Sequence, residues 1–422
     1  MTEAKNLTSF PKERVLLVIV DMSKAKSAGL NEEVEKEMKE LVVACGGQVL
    51  DSILCKIHKP SARTLISEGK LEEIHQMTLV KKYDTIIFSH DLKGSQQRNL
   101  EDVLKAKTID RTQLILDIFA RRAASSEGKM QVELAQLEYL LPRLVGHGVE
   151  LSRLGGGIGT LGPGETKLEV DRRRIDQRIT RLKQGLKEIT LSRQLKRKKR
   201  LENGVPFISL VGYTNAGKST LLNTLTQAGQ ETKDGLFTTL DSVSRQLVLP
   251  NHQKTIISDT VGFMHELPHH LIESFKATLE EVQEADLLLH VLDVSNPNFR
   301  LMYESVNVVL KELNAFEKPT IMVLNKIDKL QDRLWLKGLQ GNFEHAVYIS
   351  ATKGENIPQL LTLICEMLSS LYIEINVDVP IQRMDLVNLA HEQGEVYSIK
   401  YYNDKINIRA SIPSHLEGKF HK

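Results

Sequence analysis

The sequence is poor in cysteine, in aromatic residues and in long apolar runs. Its three cysteines, Cys45, Cys55 and Cys365, form no CxxC pair and no even set. That excludes a disulfide framework and leaves them as small core residues of a protein from a reducing compartment. Aromatic residues amount to 5%, too few for an extended base-stacking surface. No stretch approaches the roughly 18 apolar residues of a membrane span. The apolar run at residues 15–20 reads as a strand rather than as part of a signal peptide. The expected location is the cytosol. There is no internal repeat, and no low-complexity segment beyond one short basic run.

What the chain does have is length and an uneven charge. Its 422 residues exceed what one hydrophobic core organises, so two to four domains are expected. The formal net charge is only +2, yet residues 171–200 carry thirteen Lys or Arg against three Asp or Glu. Such a block suits either a polyanionic partner or a solvated helix face.

Apolar segments at 15–20, 48–55, 85–89 and 113–120 are strand candidates that alternate with helical patterns, the mark of a parallel α/β sheet. The period then changes. Met130, Leu134, Leu137, Leu141 and Leu144 are spaced 4-3-4-3, as are Ile175, Ile179, Leu182, Leu186 and Ile189. Two such seams predict an antiparallel helical hairpin packed as a short coiled coil. The Gly/Pro-rich residues 146–165 would form its tip. A second α/β pattern starts at Pro206, and a small tail follows with a helix near 384–392 and strands near 396–402 and 406–410. The predicted architecture is α/β throughout. An N-terminal α/β domain spans 1–125, the hairpin 126–204, a doubly wound P-loop domain 205–373, and a small α+β unit 374–422.

Within the second α/β pattern, residues 212–219 fit G-x-x-x-x-G-K-S after an apolar strand and before a helix. Glycines let the backbone wrap phosphates, and backbone N–H groups with the helix N-terminus point at them. Gly212, Tyr213, Thr214, Asn215, Ala216, Gly217, Lys218, Ser219 and Thr220 are the expected phosphate-side contacts. Lys218 would reach the β- and γ-phosphates, and Ser219 would ligate Mg²⁺. Next comes an apolar strand ending in Asp259, Thr260, Val261 and Gly262. Asp259 would hold Mg²⁺ through water, and the Gly262 N–H would face the γ-phosphate. A further strand ends in Asn325, Lys326 and Asp328. A carboxylate at Asp328 can accept from guanine N1–H and the exocyclic amine, donors that adenine lacks on that edge. Ser350, Ala351 and Thr352 follow another strand, with the Ala351 N–H placed for guanine O6. Four elements in order, each at a strand end, imply a guanine nucleotide at the carboxyl edge of the sheet.

Between the first two elements, Phe237, Thr238 and Thr239 lie on a loop that must offer a threonine to Mg²⁺ and the γ-phosphate. Thr239 is the choice and Thr238 the alternative. Ordering of this loop by the γ-phosphate would be a switch. Lys218, Thr239 and Gly262 are the expected catalytic set. Many GTPases place a water-orienting glutamine after the Gly262 position; here it is Phe263. Asn215 could hold K⁺ beside the phosphates, or brace the loop by a hydrogen bond. His265-Glu266-Leu267-Pro268-His269 matches the zinc-protease pattern H-E-x-x-H. Pro268 breaks the helix that this pattern needs, so the match is read as coincidence.

The stretch GGGIGTLGPGETKLEVDRRRIDQRI at 155–179 closely resembles the signature of the HflX family of ribosome-associated GTPases. QQRNLEDVL (96–104), DRTQLILDIFARRA (110–123) and EGKMQVELAQLEYLLPRL (127–144) resemble it too. The switch loop reads Thr239-Leu240-Asp241-Ser242-Val243-Ser244-Arg245 where the family usually has TLDPTTR. The resemblance implies GTP hydrolysis with Mg²⁺ and binding to the large ribosomal subunit and its rRNA. It implies that the N-terminal domain and hairpin reach toward the peptidyl transferase centre, and that stalled ribosomes are split under stress such as heat shock. ATP binding by the N-terminal part has been proposed for relatives, but no motif here carries it. A ribosome-assembly GTPase and a nucleotide-tuned RNA-binding scaffold are the alternatives. A monomer is expected. Gly155, Gly156, Gly157, Gly159 and Thr160 would let backbone approach RNA, flanked by Arg153 and Lys167, while Arg172, Arg173 and Arg174 would neutralise phosphates.

Overall fold

The computed structural model describes residues 12–22, 28–144, 167–202, 204–226, 242–264, 276–369, 372–402, 404–413 and 416–420. The chain forms two compact units, Met1–Gly185 and Leu186–Lys422. Arg153, Gly155, Gly156, Gly157, Gly159, Thr160, Phe237, Thr238, Thr239 and the H-E-x-x-H stretch lie outside the described residues, as does the side chain of Lys167.

The first unit is built on a parallel sheet of order β2-β1-β3-β4. Its strands are β1 (Arg14–Asp21), β2 (Gln48–Lys56), β3 (Thr85–Phe88) and β4 (Lys107–Asp110). Helices α1 (Ala28–Ala44), α2 (Glu68–Lys81) and α3 (Gly94–Leu104) connect them. β1 is central, with Leu16, Leu17 and Val18 fully buried. A strand covered on both faces reads as a continuous apolar run, as this one does.

The segment 113–120, predicted as a strand, is helical. It lies inside α4 (Arg111–Arg122), and β4 precedes it. Asp110 caps the helix by accepting the Gln113 N–H at 2.9 Å. Leu114, Ile115, Leu116, Ile118 and Phe119 are all buried, so the sequence shows no helical period. A short apolar run with both faces covered cannot be assigned by periodicity alone.

Two long helices follow, α5 (Ser126–Leu144) and α6 (Lys167–Glu202). They form the predicted helical hairpin, and its seams close only in part. Of those seam residues Leu134, Ile179 and Leu182 are buried, and the remainder are half-buried. The reason is that α5 commits another face, Gln131, Val132, Ala135 and Tyr139, to burial. Ion pairs tie the two helices together, Arg178 to Glu133 at 2.6 Å and Lys183 to Glu138 at 2.8 Å. Asp110, fully buried, anchors α5 to the sheet. Its carboxylate accepts from the Leu92 N–H (3.0 Å), Tyr139 OH (2.8 Å) and Arg143 Nη2 (3.0 Å), as well as from Gln113.

The second unit contains a six-stranded sheet of order β10-β9-β8-β5-β7-β6. Its strands are β5 (Phe207–Gly212), β6 (Val243–Val248), β7 (Lys254–Asp259), β8 (Leu287–Asp293), β9 (Thr320–Asn325) and β10 (Ala346–Tyr348). β6 alone is antiparallel to its neighbour. Helices α7 (Lys218–Thr226), α8 (Lys276–Glu284), α9 (Phe299–Glu312), α10 (Leu334–Gln340) and α11 (Ile357–Ser369) belong to this part. The tail carries an antiparallel sheet β11-β13-β12, made of β11 (Tyr372–Pro380), β12 (Glu395–Tyr401) and β13 (Lys405–Pro413). α12 (Met384–Gln393) covers one face with Leu386, Val387 and Ala390, against Ile406, Ile408 and Ala410. The tail helix and its last two strands fall where the sequence pattern puts them; β11 is additional to that pattern. Among the described residues no helix is long and apolar enough to cross a membrane.

Candidate functional site

β5, β7, β8, β9 and β10 run parallel, so Gly212, Asp259, Asn325 and Tyr348 end their strands on one edge of the sheet. β5 lies between β7 and β8, and the chain departs from it to opposite sides. Such a crossover leaves a crevice at the carboxyl ends of the strands, where ligands of open α/β sheets bind.

Three glycines hold this edge bare. A Cβ on Gly212 (φ +151°) would stand 2.3 Å from the Val291 carbonyl oxygen. One on Gly217 (φ +97°) would stand 2.3 Å from Asn325 Nδ2. One on Gly262 would meet Thr214 Cα at 2.8 Å and Lys218 Nζ at 3.1 Å. No side chain fits at any of them, so this edge is lined by backbone, as anion-binding loops are. Two backbone hydrogen bonds knit the loop to the β7 exit, Thr214 N–H to Phe263 O at 2.8 Å and Phe263 N–H to Gly212 O at 3.1 Å. Phe263 and Met264 are thereby buried. The Thr260 hydroxyl turns inward to the Leu210 carbonyl at 2.7 Å.

Lys218 opens α7 and is buried. Its ammonium donates to the carbonyls of Gly212 (3.1 Å) and Tyr213 (3.0 Å). Burial pushes its pKa down to about 8; the Asp259 carboxylate opposes this and Lys326 adds to it. Behind the loop, His290 stacks on Tyr303 at 5.3 Å, and burial, helped by Lys218, depresses its pKa to about 3. The Ser219 hydroxyl donates to Asp259 Oδ2 at 2.5 Å. A hydroxyl and a buried carboxylate in contact at a helix start form an oxygen-only donor pair, which suits a hard divalent cation. Among the described residues no cluster of three or more His, Cys, Asp or Glu could hold a metal.

The other wall is braced around Asn325. Its Nδ2 donates to the Ala216 carbonyl at 2.9 Å, and its Oδ1 accepts the Ala351 N–H at 3.0 Å. Lys326 takes a left-handed conformation (φ 66°) and donates to the Asn215 carbonyl at 2.7 Å and to Asp293 at 2.8 Å. Asn215 is itself left-handed (φ 61°), a conformation asparagine tolerates better than most residues. Ser350 donates to Asp328 Oδ1 at 2.7 Å. Thr352 is exposed and Thr220 half-buried.

The strand-end residues of the four motifs are thus brought together. The braces behind them belong to no motif. Asp293 holds Lys326 and accepts from Ser295, and Thr224 holds the Ala351 carbonyl at 2.8 Å. An acidic residue closing the apolar strand at 287–293 is the available sequence signal for the first; a threonine on α7 gives none for the second. In the first unit, Arg172, Arg173 and Arg174 are exposed on α6, with Arg174 3.6 Å from Asp171.

Three family models match consecutive parts of the chain. A GTP-binding GTPase N-terminal model covers residues 32–120, a GTP-binding GTPase middle-region model 122–200, and a 50S ribosome-binding GTPase model 207–326. The GTPase HflX of Caldanaerobacter subterraneus subsp. tengcongensis is 45% identical over 95% of this chain and 91% of its own. That of Lacrimispora saccharolytica is 42% identical over 99% and 97%. A GTP-binding protein from Sulfolobus solfataricus, solved with GDP, is 26% identical over 85% of this chain and 99% of its own, with a TM-score of 0.45. With 45% and 42% identity to the two HflX GTPases over nearly its whole length, the chain belongs to the HflX family of GTPases.

Proposed function

We propose that this GTPase binds the large ribosomal subunit and splits or rescues stalled ribosomes, switching with GTP and GDP held between residues 212 and 352. One conjunction carries the reading: the Ser219–Asp259 contact beside buried Lys218, in a chain of the HflX family. The four segments 1–125, 126–204, 205–373 and 374–422 divide the work. Residues 1–204 meet the subunit and 205–373 hold nucleotide.

In this reading Lys218 leaves the loop carbonyls for the β- and γ-phosphates. Ser219 and Thr239 would hold Mg²⁺ directly and Asp259 through water, and the ion would supply positive charge against the phosphate oxygens. Gly262 offers its N–H to the γ-phosphate. Asn325 holds the phosphate loop against the Ala351 turn, Asp328 reads guanine N1–H and the amine, and Ala351 N–H reads O6. Asn215 is a candidate K⁺ ligand. Its carbonyl is already held by Lys326, and among the described residues its side chain makes no hydrogen bond. Equal hydrolysis rates in potassium and sodium would remove that ion.

Arg153, the glycine loop 155–159, Thr160, Lys167 and Arg172–Arg174 are the proposed rRNA contacts. The test is sedimentation of intact ribosomes with the protein and a non-hydrolysable GTP analogue. Separated subunits with protein on the large one are expected. Intact ribosomes, with protein only on immature large subunits, would favour an assembly role instead.

A further inference from the structure

Glu281 lies in α8, off the phosphate loop, and matches no motif in the sequence. Its two carboxylate oxygens serve β7 and the residue that leads into β6. Oε1 accepts the Ser242 hydroxyl at 2.6 Å and Oε2 the Ser258 hydroxyl at 2.5 Å. Ser258 is fully buried and immediately precedes Asp259. Ser242 stands three residues after Thr239, and the next residue, Val243, pairs with Asp259 across the β6–β7 ladder.

The carboxylate is a fixed post. Leu279 and Val282, on either side of Glu281, are buried and seat α8. One turn on, Glu284 pairs with Arg200 at 3.7 Å, and the Arg200 guanidinium lies 4.1 Å over the Phe207 ring at the start of β5. The pairing of Ser258 is also selective. Its neighbour in register on β5, Ser209, is equally buried, and its hydroxyl finds no partner among the described residues.

We propose that Glu281 is a positioning residue for the metal side of the site: by holding Ser242 and Ser258 on one carboxylate, it sets the start of β6 against Asp259. The inference rests on the reading of Asp259 as the residue that holds Mg²⁺ through water. It predicts that removing the post loosens metal retention without touching a ligand. Partners behind metal ligands carry effects of about 10- to 100-fold in metal affinity.

The test uses the full chain, loaded with a fluorescent GDP analogue. Its release is followed against Mg²⁺ concentration, together with amide hydrogen exchange of Val243–Val248. For Glu281→Ala, the Mg²⁺ needed to retain nucleotide should rise about 10-fold, and the β6 amides should exchange faster. Glu281→Gln should restore both to within about threefold, since an amide accepts from one serine and donates to the other. Unchanged retention and exchange in Glu281→Ala would overturn the inference, as would a Gln variant as damaged as Ala. If Glu281→Ala does not fold, the Ser242→Ala/Ser258→Ala double variant must give the same shift, and its absence overturns the inference equally. Asp259→Asn run in parallel separates the two failures. No Mg²⁺ effect there removes the metal-site reading itself, whereas an effect at Asp259 with none at Glu281 removes only the inference.

Discussion

Ser350 donates its hydroxyl to Asp328 Oδ1 at 2.7 Å, and the same hydroxyl accepts the Lys353 N–H at 3.1 Å. One carboxylate oxygen of Asp328 is thus oriented before any base arrives. Asp328→Asn should lower GTP affinity by at least about 100-fold, since two hydrogen bonds to a charged group are worth about 1.5–3 kcal/mol each. Xanthosine triphosphate should bind better in exchange, because the new amide donates to the oxygen that replaces the guanine amine. Competition binding with the two nucleotides checks this, and unchanged GTP affinity would remove Asp328 as the base reader.

Lys218 supplies a pH signature. In the nucleotide-free chain its pKa falls from 10.5 to about 8 through burial, and a bound phosphate favours the ammonium and raises it again. GTP binding should therefore take up no proton well below pH 8 and approach one proton above it. Over that upper range the apparent affinity should fall by up to about tenfold per pH unit. Calorimetry in buffers of different ionisation heat measures the uptake. A flat profile from pH 7 to 9 would contradict the assignment of Lys218 to the phosphates.

The exposed arginines of α6 make an ionic-strength prediction. Neutralising Arg172, Arg173 and Arg174 should weaken binding to large subunits and flatten its dependence on log salt. The slope should drop by about 0.7–0.9 for each phosphate no longer neutralised. An unchanged slope would assign these side chains to solvent and to pairs such as Arg174–Asp171.

Phe263 occupies the place of the water-orienting glutamine, is buried, and is locked to the phosphate loop through its own backbone. It contributes no polar group to the attacking water. The protein alone should hydrolyse GTP slowly, and purified large subunits should accelerate it. The gain should fall below the roughly 10³- to 10⁵-fold of an arginine finger, because ordering a loop adds no new cation. Fast hydrolysis without stimulation by subunits would point instead to His265 or Glu266.

The carboxyl edge of the second sheet is legible in the sequence because the phosphate-loop pattern places residue types at fixed spacing. Gly212, Lys218, Ser219, Asp259 and Asn325 each follow or end an apolar strand that can be seen directly. The braces are not legible, since Thr224, Asp293 and Glu281 act through partners distant in sequence, and only folding reveals those partners. The strand expected at 113–120 fails because both of its faces are covered, which erases the period. The coiled-coil seam closes only in part because α5 has two apolar duties, and the sequence does not say how they share the helix.

Asp110 bears on what counts as the smallest piece of the first unit able to fold. Four donors serve its carboxylate, two from within the α/β sheet region and two, Tyr139 and Arg143, from α5. Burial already holds its pKa above the usual carboxylate value. A fragment cut at residue 125 would lose half of these donors, and with Tyr139 and Arg143 gone the carboxylate would turn to water instead of to α5. Such a fragment should be less stable than one that runs past residue 143.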